Sequence, residues 1–335
     1  MGIAKYIKEI GRGKDGARAL AREQAADLMG QILDGSVTDL EIGGFCLAMR
    51  IKGETAEEMA GFLDALHARM QLVPAPRPVV VLPSYNGARK LPVLTPLLGA
   101  LLARVGQSAG FDVLIHGCQT EDTRIASEDV FKALNTLYYP SNSAKSAVDI
   151  AQAAIKSIAF NNLSYLPTHA LHAGLQRLLD VRRAVGLRNS AHSLVKLMNP
   201  TSHPQALVVG SYTHPEYLHS MTATLTLTGA HALLLRGTEG EPVADARRMP
   251  QMDGFANGLC TTLQEAHAGS LAQLPDLPKA IDPETTAAYI YEVLQGHKPV
   301  PTPIARQVEC ILHMLESSEK RAIPTPLATH QSIPA

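Results

Sequence analysis

The chain has no tryptophan, and aromatic residues make up only 4% of its 335 positions. A surface that reads nucleic-acid bases by stacking needs aromatic platforms, so any nucleic acid would have to be held through its phosphates. Paired cysteines are lacking as well. Cys46, Cys118, Cys260 and Cys310 lie far apart without metal-ligand spacing, which reads as reduced core thiols and not as a disulfide framework or zinc site. No apolar run approaches the twenty residues of a membrane span, and the opening MGIAKYIKEIGRGK has no apolar core of signal-peptide length. A cytoplasmic protein with no membrane partner is expected. Glycine is scarce where it matters most. The turn in VVVLPSYNGARK, residues 79–90, has one glycine, Gly87 beside Asn86, and two cations, Arg89 and Lys90. A diphosphate cradle wants several glycines, because only glycine lets backbone amides approach an anion that closely. Two point charges suit a loosely held polyanion better.

What is present is size, apolar content and segregated charge. At 46% hydrophobic the chain is long enough for one large domain and a smaller one, each with its own core. The net charge is −1, yet residues 1–22 hold six Lys or Arg against two acids, and residues 177–196 hold five against one. Residues 239–292 reverse this, with nine acids and three basic residues. Segregated positive charge is how a nearly neutral protein binds a polyanion.

Residues 21–70 read as three helices, two of them opened by the S/T-x-x-E form at Thr38/Glu41 and Thr55/Glu58. Prolines 74, 76 and 78 then break the pattern and mark entry into a second domain. Buried strands are expected over 79–82, 112–116, 206–212 and 231–236. Helices are expected over 97–105, 127–134, 145–159, 171–185, 191–198, 214–227, 284–295 and 304–316. Strands alternating with helices of this length imply a mostly parallel, doubly wound α/β sheet flanked by helices, beside a separate small all-helical domain. The expected division is a helical domain over 1–75, with a basic leader over 1–22 and completed by the helix near 171–185, an α/β domain over 76–325, and a tail over 326–335.

Two stretches carry candidate phosphate contacts. The leader offers Lys8, Arg12, Lys14 and Arg18. In VRRAVGLRNSAHSLVK, Arg182, Arg183 and Arg188 precede a helix start capped by Asn189 or Ser190, with Lys196 further along it; dipole and charge would act together on an anion there. The thirteen histidines include His169 and His172 at helical spacing, but no third ligand accompanies them, so no metal is expected. Cys118, beside His116, reads as a structural thiol.

A small helical domain containing LDGSVTDLEIGGFCLAMRIKGETAEEMAGFLDAL, joined to an α/β domain with HG after a strand and VRRAVGLR after a helix, resembles the anthranilate phosphoribosyltransferase and nucleoside phosphorylase superfamily, glycosyltransferase family 3. The likeness runs from about Leu20 to about Gly240. The leader IKEIGRGKDGARAL resembles that of a branch of prokaryotic DNA-binding proteins of the YbiB type. The resemblance implies a helical domain on a doubly wound sheet, homodimerising through the helical domain. It also implies an active site that is degenerate here. Where family enzymes carry GTGGD for the diphosphate, this chain has Pro83-Ser84-Tyr85-Asn86-Gly87. Where they carry KHGNR, it has Ile115-His116-Gly117-Cys118-Gln119. Where an Asp-Glu pair holds Mg²⁺, it has Pro242 and Val243, with Glu239 and Glu241 nearby. Losing one such donor typically costs roughly 10²–10³-fold in rate. The reading that follows is a homodimer that binds DNA and RNA without sequence preference and needs no cofactor. Its alternative is a pentosyltransferase that uses Mg²⁺ and a phosphoribosyl donor.

Overall fold

The computed structural model describes residues 2–13, 15–138 and 162–322. Lys14, the helix expected over 145–159 and the tail over 326–335 lie outside the described residues. Four helices open the chain: α1 Ala4–Ile10, α2 Arg22–Leu33, α3 Asp39–Lys52 and α4 Ala56–His67. Both expected capping boxes form, with the Glu41 and Glu58 amides donating to Thr38 and Thr55 Oγ1 at 3.2 Å and each glutamate accepting from the cap's own N–H. Helix α4 lies against α2 with Gly61 at the crossing, where a β-carbon would collide with the Arg22 carbonyl.

The α/β part follows as β1 Val79–Ser84, α5 Thr95–Ala109, β2 Asp112–Gly117, α6 Ser127–Tyr138, β3 Leu163–Pro167, α7 Thr168–Leu171, α8 Ala173–Val185, α9 Ala191–Leu194, β4 Leu207–Tyr212, α10 Pro215–Thr228, β5 Ala232–Arg236, β6 Met252–Ala256, β7 Leu259–Gln264, α11 Pro283–Leu294 and α12 Thr302–Ala322. The sheet order is β3-β2-β1-β4-β5-β6-β7. The first five strands are parallel, and β6 and β7 form an antiparallel extension at one edge. The expected mostly parallel sheet beside a helical domain is therefore what forms. Alternate residues of each strand feed separate cores: Val79, Val81, Leu114, Val208 and Leu234 pack toward the four opening helices, while Val80, Leu82, Ile115, Leu233 and Leu235 pack toward α5, α11 and α12. Burial on both faces is why these strands read as unbroken apolar runs.

Three strands were not expected. β3 carries Ser164 and Pro167, and β6 carries Asp253 and Gly254. β7 is exposed along most of its length, as suits an edge strand. The helix expected over 191–198 is only the four-residue α9; beyond it the chain tightens into turns, with the Lys196 and Leu197 amides donating to the Ser193 and Leu194 carbonyls.

The helical part depends on a buried charge. Glu58 is fully buried and accepts from the Leu20 N–H at 2.9 Å, the Thr55 N–H at 2.9 Å and Lys52 Nζ at 2.6 Å, so its carboxylate ties the leader to the α3–α4 junction. Removing it strands a nearly buried ammonium and an unpaired amide. Glu58→Ala is expected to lower stability by roughly 3–5 kcal/mol, with Glu58→Gln losing less because its single carbonyl oxygen still accepts one of the two amide bonds. Urea unfolding of the three proteins measures this, and a loss below about 1 kcal/mol for the alanine variant would remove Glu58 from that role.

Candidate functional site

In a parallel sheet the loops after the strands gather at the carboxyl edge, where α/β proteins build their sites. Here those loops are residues 85–91 after β1, 118–125 after β2, and 237–244 after β5. The first loop is pinned to the second by paired amides, with the Ala88 and Ile125 N–H groups each donating to the other's carbonyl at 2.9 Å. Gly117 lies so close to Ser84 that a β-carbon would collide with the Ser84 carbonyl, which accounts for the His-Gly pair as packing.

Two carboxylates occupy the β1 loop. Glu241 is buried: one oxygen accepts from the Asn86 and Gly87 N–H groups, both at 2.8 Å, and the other accepts from the Ser84 hydroxyl and from Thr95 Oγ1 at 2.9 Å. Glu239 accepts from the N–H groups of Arg89 at 3.2 Å, Lys90 at 2.8 Å and Leu91 at 3.0 Å, and its second oxygen also takes Arg124 Nη1 at 3.2 Å. The loop thus forms two amide clusters of the kind that bind anions, each already holding a side chain of the same protein. Asn86 completes the closure, its Nδ2 donating to the Glu239 carbonyl at 2.8 Å.

The superfamily implies Mg²⁺ at this edge, and the residues do not fit it. Every oxygen of Glu239 and Glu241 receives donated protons, so a cation would meet the positive ends of N–H and O–H dipoles. No group of three or more His, Cys, Asp or Glu able to hold a metal exists among the described residues.

The expected phosphate contacts fare unequally. Arg182 donates to Glu121 at 2.6 Å, and Arg183 pairs with Asp122 and reaches the Gln119 carbonyl at 3.1 Å. Arg124, which sequence reasoning passed over, links Glu121 at 3.0 Å to Glu239. Those arginines build the site's wall, and their partners absorb their charge. Arg188 is half-buried with no hydrogen bond to any described residue; burial, then Arg182 and Arg124, push its pKa down. Lys196 is the clear correction. It is buried and cannot extend a surface patch, because its Nζ turns inward to donate to the Gly240 carbonyl at 2.8 Å and the Ser211 carbonyl at 3.2 Å. The helix start expected beside these arginines also fails as an anion site, since α9 is a single turn and Ser190 donates its hydroxyl to Glu54 instead. Lys8, Arg18, Arg89 and Lys90 have side chains without ion pairs among the described residues, whereas Arg12 pairs with Glu9 at 2.7 Å.

The remaining family positions are structural. His116 is fully buried, with Nδ1 at 2.8 Å from the Tyr85 hydroxyl, and burial pushes it down to about 3, so it is a neutral core ring. Burial pushes the Cys118 thiol up to about 11, which suits the structural reading over a nucleophile. Gln119 donates to the Arg124 carbonyl at 3.2 Å. His172 caps α8 by accepting the Leu175 N–H at 3.3 Å. Between the helical part and this edge lies a cavity of about 280 Å³ whose lining includes Arg50, Glu54, Arg188, His192, Lys196 and Tyr217. A larger cavity of about 750 Å³ lies at the opposite edge, against the amino ends of β4 and β5 and away from these groups.

Residues 4–70 match the helical bundle domain of a glycosyl transferase family. Over 93% of its length the chain is 39% identical to the uncharacterized protein YbiB of Escherichia coli (strain K12), covering 94% of that protein. The chain belongs to the YbiB family. It is also 28% identical, over 83% of its length and 76% of the relative's, to anthranilate phosphoribosyltransferase of Sorangium cellulosum (strain So ce56). The same fold is seen in the anthranilate phosphoribosyltransferase of Saccharomyces cerevisiae in complex with PRPP and Mg, at a TM-score of 0.65 and 16% identity over 94% of this chain and 89% of that one. The anthranilate phosphoribosyltransferase of Thermus thermophilus superposes over the same shares at a TM-score of 0.63 and 20% identity. The superfamily and the fold expected from sequence are therefore established, including the helical domain.

Lys196 supplies a measurable signature of this edge. Burial and then Arg188 push it down to about 7 from an ordinary 10.5, against the pull of Glu241. Between those values the unfolded chain binds more protons than the folded one, so this group makes stability rise as pH climbs from about 7 toward 10.5. Urea midpoints measured near neutral pH and again about two units higher should show a gain with pH that is smaller in Lys196→Met. Equal gains in both proteins would contradict a displaced lysine.

Proposed function

We propose that the chain is a homodimeric protein that binds DNA and RNA through their phosphates, without sequence preference, on a phosphoribosyltransferase fold that does not carry out transfer. The observation that carries this reading is the occupation of the β1 loop: the amides suited to a small phosphate are taken by Glu239 and Glu241, while the Arg89 and Lys90 side chains on the same turn stay exposed and unpaired. What that turn offers to solvent is flexible point charge, which suits a polymer whose phosphates recur along a chain. Lys8 and Arg18 of the leader add to it. No helix among the described residues is long and apolar enough to cross a membrane.

The dimer reading rests on α3. Leu40, Leu47 and Ile51 share one face of it and are 87%, 45% and 66% exposed. A β-carbon at Gly43 would meet nothing within 4 Å, so the face is open to a second copy. Helix α4 does not share this face, because it is covered by α2 and α10. Two copies would place the cations twice on one particle, and a polymer that engages both sets gains effective concentration. Light scattering should show a dimer for the native chain and a monomer for Leu40→Glu/Ile51→Glu. An unchanged mass would move the interface elsewhere.

Binding to random-sequence oligonucleotides, followed by fluorescence anisotropy, should weaken steeply with salt, log affinity falling by about 0.7 to 0.9 per phosphate contact for each unit of log salt. Arg89→Glu/Lys90→Glu should weaken all sequences alike and flatten that slope. Salt-insensitive binding, or no effect of the double reversal, would sink the reading. The second reading, phosphoribosyl transfer, is favoured by the transferases among the relatives and by the fold shared with the yeast enzyme in complex with PRPP and Mg. It requires turnover of anthranilate with phosphoribosyl diphosphate and Mg²⁺ above a no-enzyme control, and none is expected.

A further inference from the structure

We propose that Glu239 and Glu241 form an internal plug, two carboxylates that occupy the paired anion sites of the β1 loop and close them to phosphate. The donors are arranged as an anion would require. Glu241 draws two N–H groups and two hydroxyls, and Glu239 draws three consecutive N–H groups and the Arg124 guanidinium. Gly87 and Arg89 are two residues apart, so the end of one cluster and the start of the next lie within about 7 Å along the chain. Two linked phosphoryl groups fit within that limit, which makes inorganic diphosphate a suitable probe.

The plug is held at a cost that simple surface capping would not demand. Glu239 is a non-glycine residue at φ 51°, ψ 18°, and the only other non-glycine residue at positive φ among the described residues is Asn257. Backbone strain of this kind persists only where its surroundings fix it. Here they do. The Gly240 carbonyl accepts from both Lys196 Nζ and Ser211 Oγ at 2.8 Å. From the other side the fully buried Gln307 of α12 donates to the Pro242 carbonyl at 2.9 Å and accepts the Ala244 N–H at 2.8 Å. With the backbone clamped on both sides, residues 239 and 241 are both delivered into the loop.

The inference shares with the nucleic-acid reading the occupation of the β1 loop and goes beyond it, because it concerns the loop's amides and not its exposed side chains. Its test is diphosphate binding by Glu239→Ala/Glu241→Ala, measured without metal by calorimetric titration and by thermal melting. The double variant should melt lower than the native chain, regain stability as diphosphate is added, and bind it at least roughly tenfold more tightly than the native chain does. Should the double variant fail to fold, Glu239→Ala alone opens the outer cluster, whose donors lie nearer the surface, and inorganic phosphate becomes the probe. If the carboxylates only brace the loop, the variants lose stability and gain no anion affinity, and the plug is refuted. Native protein that binds diphosphate as tightly as the variants refutes it equally. Neither failure bears on the salt dependence assigned to Arg89 and Lys90.

Discussion

The bond between the Glu241 carboxylate and the amides of Asn86 and Gly87 fixes the carboxyl edge of the sheet. Buried amides need acceptors, and this carboxylate supplies them from within the chain. Once Glu241 is seated, Ser84 at the end of β1 and Thr95 at the start of α5 are satisfied by the same group, so strand, turn and helix are joined through one carboxylate. Glu239 does the same for the second half of the turn and passes the connection through Arg124 and Glu121 to Arg182 on α8. A chain of alternating charges therefore runs from the strand ends to the helix that packs on α2 and α3.

That chain decides which cations remain available. Arg182 and Arg183 have carboxylate partners, and each such pair neutralises charge that a count along the sequence treats as free. Lys196 is spent on two backbone carbonyls. The positive charge left to solvent at this edge belongs to Arg89 and Lys90, whose exposed side chains extend from the β1 turn. Desolvation opposes burying a charge unless it is paired, so the arginines that reach the interior are the ones that found acids, and the unpaired ones stay at the surface. The half-buried Arg188 departs from this rule, and its lowered pKa is the electrostatic consequence.

Local features of the fold were legible because their causes are local. Thr38 with Glu41, and Thr55 with Glu58, make bonds within three residues, and the apolar runs of β1, β2, β4 and β5 announce burial on both faces. The site was only half legible. The single glycine at position 87 signalled that no ordinary diphosphate cradle forms, but its occupant comes from about 150 residues further along the chain, and no spacing rule reports that. The partners of Arg182 and Arg183 lie 61 residues upstream and are brought alongside by the parallel crossover, so a window of sequence shows the cations without their acids. Lys196 was misplaced for a different reason: helical spacing gives an angle only while the helix lasts, and α9 ends at Leu194. β6 and β7 escaped notice because Asp253 and Gly254 interrupt the buried β6, and exposure along the edge strand β7 erases the apolar run that marked the central strands.

An anion site made of backbone amides and one made of side-chain cations respond differently to loss of function. Amides are fixed by the fold and remain wherever the turn is kept, so a protein that keeps the turn but no longer uses its ligand is left with buried donors to satisfy. A carboxylate supplied from within the chain satisfies them permanently, at the cost of backbone strain at Glu239, and it adds negative charge beside any later anionic ligand. Side-chain cations carry no such obligation, because an exposed arginine or lysine is well solvated in water. On the proposed reading, a fold in this condition keeps its strand ends ordered without a ligand and gives up the close-fitting grip on a small phosphate. What such a fold would keep is long-range attraction at the rim, the form of binding that discriminates least among sequences and depends most on how many phosphates a partner presents.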